Sequence, residues 1–122
     1  MKPITVYAIG RIMFGVAALA APARAGTLIA GPGGAEPDAQ SFLRGMGGRE
    51  IGLGLGLLAM LRANGPVKPW LVAGVLADSS DVAGIAATWR HLPPAKRWLG
   101  VATAGAAAAS GAALLATEGR QG

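Results

Sequence analysis

Six charged side chains stand where charge is expensive. Arg11, Arg49, Glu50, Asp78 and Asp81 fall inside long apolar runs, and Arg44 lies near the start of one. A charge near the centre of a bilayer costs roughly 2.5–3.5 kcal/mol on insertion scales, so such residues face a bundle interior and find partners. Three of the six are cationic and three anionic, the balance that mutual neutralisation requires. Two kinds of chemistry are open to such a set. It can be a structural ion-pair network that decides which helices pack together, or a proton relay or polar cavity for a small ligand. Asp78 and Asp81 are three apart and share a helix face. Two carboxylates that close repel each other unless an arginine intervenes. Ser79 and Ser80, between them, can bond back to carbonyls of the preceding turn or across to a neighbour.

Four apolar runs must position these groups: Ile4–Ala21, Phe42–Leu61, Trp70–Trp89 and Trp98–Ala116. At about 1.5 Å of rise per residue, each can cross a hydrocarbon core of roughly 30 Å. The connections are well marked. Pro22, Gly26, Gly31, Pro32, Gly33 and Gly34 punctuate the first, Asn64, Gly65, Pro66 and Pro69 the second, and Pro93 and Pro94 the third. Pro37 followed by Asp38 reads as the first turn of the second helix, with an acid near its positive end. The expected helices are therefore 4–21, 37–62, 70–90 and 97–117, one membrane domain over residues 1–122. Trp70, Trp89 and Trp98 all fall at expected helix ends, where amphipathic rings sit at headgroup level.

Composition agrees. The chain is 52% hydrophobic and only 14% charged, with 27 alanines and 20 glycines among 122 residues. A soluble domain this small needs more polar surface than that. There is no cysteine, hence no disulfide framework or thiolate metal site. The net charge of +5 is spread along the chain without a basic stripe or interleaved aromatics, which argues against nucleic acid and suits contact with anionic headgroups. Lys2, Ile12–Ala21 and Ala23-Arg24-Ala25 also imitate a signal peptide with its cleavage site, although the apolar run extends upstream of Arg11. Loop charge does not orient the bundle. Lys2, Arg62, Lys68 and Arg120 stand on one side against Arg24, Arg90, Lys96 and Arg97 on the other.

Depth makes the pairing specific. Arg11 lies roughly 10 Å into the first span, and Asp78 roughly 12 Å into the third, which enters from the same face. Arg49 and Glu50 enter from the opposite face and lie roughly 19 Å from the first, near Asp81 at roughly 16 Å. The expected pairs are Arg11 with Asp78 and Arg49 with Asp81, leaving Glu50 to Arg44 or to a proton.

The glycines point to packing. Gly45, Arg49, Gly52 and Gly56 fall on one helical face, and Gly48, Gly52 and Gly56 form two overlapping G-x-x-x-G steps. Gly100, Ala104, Ala108 and Ala112 repeat that spacing in the fourth span. Small residues let helix backbones approach closely in lipid, within one copy or between copies. G-x-G-x-x-A at Gly54, Gly56 and Ala59 has no strand before it and is no dinucleotide fingerprint. His91 is the only histidine, Ser110 has no catalytic setting, Glu36 and Asp38 fit a helix start, and Glu118 and Arg120 fit a solvated tail. No cofactor is expected.

One family resemblance follows from these residues. R-x-x-x-G in span one (Arg11, Gly15), A-P-A-R-A-G after it, F-L-R-G-M-G-G-R-E-I-G-L-G opening span two and D-S-S-D in span three resemble the small four-helix integral membrane proteins common in actinobacteria, a family of unknown function. In that family G-x-R-[DE] opens the second helix, matching Gly47/Gly48, Arg49 and Glu50, and an Asp marks the third, matching Asp78 or Asp81. The resemblance reaches to about Arg90, is weaker in span four, and implies a membrane bundle without implying an activity.

The expectation is an all-α, four-transmembrane-helix bundle, multi-pass in the cell membrane. Its partners are the lipid bilayer and either a second copy or another membrane protein. It is a non-enzymatic accessory or oligomeric bundle held by its charge network, or alternatively a proton-coupled transporter-like or ligand-binding protein that uses the network as a polar cavity. A continuous cavity reaching one face distinguishes the second reading; sealed pairs and an exposed small-residue face distinguish the first.

Overall fold

The computed structural model describes residues 1–118, and Arg120 lies outside them. The described chain is all-α, with five α-helices: α1 Pro3–Ala20, α2 Pro22–Ala30, α3 Pro37–Ala63, α4 Lys68–Ala87 and α5 Pro94–Glu118. Short 3₁₀ turns, Pro32–Ala35 and Trp89–His91, precede α3 and α5.

Each helix carries a proline at its first or second position: Pro3, Pro22, Pro37, Pro69 and Pro94. There the missing N–H costs nothing and the fixed φ is already helical. The first connection therefore contains a helix that the four expected spans did not include. Pro22 interrupts one helix and starts another, so residues 22–30 form α2, with the Ala23-Arg24-Ala25 triplet inside it. The ends are equally local. Gly31, at φ 81°, ends α2. Asn64 adopts the left-handed conformation at φ 51°, and the Gly65 N–H donates to the Met60 carbonyl at 2.8 Å, the Schellman closure that ends α3.

Three helices, α1, α4 and α5, are long and apolar enough to cross a membrane. α3 is longer but not apolar enough: every 18-residue stretch of it contains Arg49, Glu50 and at least one of Asp38, Arg44 and Arg62. Four spans are thus not established by length and hydropathy.

The helices associate as two antiparallel pairs, α1 on α3 and α4 on α5, while α3–α4 and α1–α5 meet sparingly. The α1–α3 seam is backbone on backbone. A Cβ on Gly15 would fall 2.5 Å from the Gly47 carbonyl oxygen, and one on Gly54 would fall 2.6 Å from that of Ala8. In the α4–α5 seam Gly100 receives Ile85 and Gly111 receives Val75. At one end of the bundle the pairs join through an apolar core of Ile4, Ala8, Leu57 and Leu71, flanked by Trp70, Leu114 and Leu115.

The expected packing face of α3 is corrected by this seam. A Cβ at Gly45, Gly48 or Gly52 meets nothing within 4 Å, and all three residues are exposed. Gly56 packs against the Trp70 ring. The seam uses Gly47 and Gly54, seven residues apart, opposite Gly15 and Ala8, also seven apart. That register buries Leu43, Gly47, Glu50, Gly54 and Leu57 and turns the G-x-x-x-G steps outward. In α5, Gly100 is buried, Ala104 and Ala108 are half-buried, and Ala112 is exposed.

Candidate functional site

Midway along the bundle the sparing contact between the pairs is replaced by ions. Arg11 of α1 is the hub. Its Nη1 donates to Glu50 Oε2 of α3 at 2.5 Å, and its Nη2 donates to Asp78 Oδ2 of α4, to the Tyr7 hydroxyl at 2.7 Å and to the Gly74 carbonyl at 3.2 Å. The guanidinium carbon lies 4.8 Å from the centre of the Tyr7 ring. Arg49 of α3 extends the network: its Nη2 donates to Glu50 Oε1 and to Asp81 Oδ2 of α4, both at 2.9 Å. Arg11, Glu50 and Asp78 retain 7%, 5% and 4% of their exposure, whereas the side chains of Arg49 and Asp81 retain 33% and 26%. The network is buried at Arg11 and partly exposed at Asp81.

Local structure explains the placement. Tyr7 and Arg11 are one turn apart on α1, so both reach the same cleft. Gly74 and Asp78 are likewise one turn apart on α4. A Cβ at Gly74 would lie 2.6 Å from the Tyr7 hydroxyl and 3.0 Å from Arg11 Nη2, so glycine there lets the guanidinium reach the helix backbone. Ser80 bonds back to the Leu76 carbonyl at 2.8 Å.

The pairs expected from depth, Arg11–Asp78 and Arg49–Asp81, are both present. The expectation for Glu50 is corrected: it bridges Arg11 and Arg49, each through its own carboxylate oxygen. Arg44 is exposed and takes no part. Six residues of α-helix turn Arg44 about 120° away from Glu50, off the face that meets α1. Tyr7 and Gly74 were not singled out by charge or motif, and Lys96 only as a loop charge; the i, i+4 spacing of Tyr7 from Arg11 and of Gly74 from Asp78 was the available signal for the first two.

No family model, curated protein or solved structure matches this chain. The site therefore stands on its own geometry. Its main feature is a cavity of about 560 Å³ between the two helix pairs, within the range of small-molecule sites. The network forms its inner wall through Arg11, Arg49, Glu50, Asp78 and Asp81. The remaining lining is largely apolar, including Phe14, Ile29, Met46, Ile85 and Leu92, with Lys96 at the outer end. From Lys96 to Ala107, both in the lining, α5 rises roughly 16 Å. Tyr7 of α1 meets Gly111 of α5 at the inner end. Beyond that crossing Gly10 and Phe14 on α1 and Thr103 and Ala107 on α5 all line the cavity, and α2 contributes Ile29 and Ala30. Gly10, Ser80, Gly84 and Thr103 remain exposed, so the cavity is open on one side. Among the described residues no three His, Cys, Asp or Glu side chains gather in a way that could hold a metal ion.

Proposed function

We propose that this is a four-span membrane protein that binds a small amphiphilic ligand in the cavity between its two helix pairs, without catalysing a reaction. The observation that carries the reading is the placement of the ion network: Arg11, Glu50 and Asp78 are buried, but Arg49 and Asp81 stay partly exposed in the wall of an open, mostly apolar cavity. In this reading α3 is the fourth span. Its hydropathy deficit comes largely from Arg49 and Glu50, both paired with opposite charges on α4 and α1. The gap between α1 and α5 gives a ligand dissolved in the bilayer a lateral way in. The resemblance to small actinobacterial membrane proteins belongs with this proposal and adds no activity to it.

The test is cavity filling. A Cβ at Gly84, which lines the cavity, meets nothing within 4 Å, and Gly→Leu there also raises helix propensity. Protein purified in mild detergent is expected to carry a small molecule or lipid by native mass spectrometry, and Gly84→Leu is expected to lose it while folding normally. Wild type and Gly84→Leu carrying the same adducts would refute the site.

A second reading rests on the outward face of Gly45, Gly48 and Gly52. Glycine exposes helix backbone to lipid, and close approach of a second copy would cover it. Native mass spectrometry of Gly48→Ile tests this: a self-associating wild type and a monomeric variant support it, and an unchanged stoichiometry ends it.

A further inference from the structure

The network is not neutral. With Arg44 outside it, the described cluster contains two guanidinium groups, Arg11 and Arg49, against three carboxylates, Glu50, Asp78 and Asp81. One negative charge is left over in a low-dielectric interior. The contacts run Asp78–Arg11–Glu50–Arg49–Asp81, so the two aspartates at the ends each meet a single arginine. Of the three acids Asp81 is the most exposed, so a ligand in the cavity meets the acid excess there.

The rest of the lining sets the body of the ligand and limits its charge. Phe14, Met46, Ile85 and Leu92 offer apolar surface between Asp81 and the outer end. Lys96 at that end forms no salt bridge among the described residues. Ile85 packs on Gly100, which fixes the antiparallel register of α4 and α5. Asp81 is one turn below Ile85 and Lys96 one turn above Gly100, so their Cα atoms are roughly 12 Å apart along the bundle. The wall is thus negative within and positive at the entrance. Resting on the proposal that the cavity is a ligand site, we infer that it selects amphiphiles with a single positive charge, the cationic group at Asp81 and the apolar body directed toward Lys96. Lys96 rejects a second positive charge at the far end of the same molecule, and the acid excess rejects anions.

Three probes share a ten-carbon chain and differ in charge: decyltrimethylammonium, decamethonium with a second ammonium at the other end, and decyl sulfate. Binding is measured by calorimetry on the full chain in neutral-lipid nanodiscs, with empty nanodiscs as the blank. The expected order is decyltrimethylammonium tightest, with decamethonium and decyl sulfate each weaker by about tenfold or more. Asp81→Asn is expected to erase the preference for cation over anion. It should fold, because Arg49 keeps Glu50 as a partner. Lys96→Gln should bring decamethonium up to the single cation, and Arg44→Gln should change nothing. Decyl sulfate binding as well as the cation, or an undiminished preference in Asp81→Asn, would overturn this inference while leaving the cavity a ligand site. Failure of all three probes to bind above the blank would overturn both.

Discussion

The two halves of this bundle are held by different forces. At one end Ile4, Ala8, Leu57 and Leu71 close the four long helices around a dry core. Beyond it the helix pairs stand apart, and Arg11 and Arg49 reach across the gap to Asp78 and Asp81 of α4. In lipid the two are unequal. Apolar contact between helices gains little there, because acyl chains are as apolar as leucine, so close packing and polar contacts must hold the helices together. The ions take over where packing gives out, and the space they span is the one assigned to a ligand in the proposed function.

The largest effect should come from removing the hub. Arg11→Met strands Glu50 and Asp78 in the interior and is expected to cost about 3–5 kcal/mol in equilibrium unfolding in bicelles. A cost below about 1 kcal/mol would mean that the apolar end alone joins the pairs. Next is the packed end itself. Leu57→Ala should cost at least about 2 kcal/mol, whereas Met46→Ala, which trims a wall already facing open space, should cost under about 1 kcal/mol in the same assay. Equal losses at the two positions would show the cavity to be closed in the bilayer. Smaller again is a sharpening of the α1–α3 seam. Gly47→Ile forces a side chain between two backbones and should cost about 1–3 kcal/mol, while the adjacent Gly48→Ile should leave monomer stability within about 0.5 kcal/mol.

Much of this was legible in residue order. The four long helices follow from run length and proline position, and the two salt bridges to α4 follow from depth along antiparallel helices. What was not legible has physical causes. α3 contains six glycines, and several registers satisfy small-residue packing equally well; only the partner's own Gly15 and Ala8 select Gly47 and Gly54. Glu50 was misassigned because depth does not give azimuth, and Arg44, though close in sequence, projects from another face. α2 was missed because Pro22 ends one helix and begins the next, and a proline in isolation does not say which. A cavity at the ion network was one of two alternatives, but its size and apolar lining were not legible, since a void belongs to the spacing between elements and to no residue in particular.

That spacing is bordered by α2. This nine-residue helix packs against α1, α3 and α5 at the open end, and Gly31, just beyond it, sets its Cα beside the Pro93 ring, where a Cβ would lie 3.1 Å from Cγ. It touches both helix pairs and so lies between them at that end. On the proposed ligand reading the entrance is bordered by an element with no member of the ion network on it, so lengthening α2 by one turn is expected to change which molecules enter without altering a single charge inside.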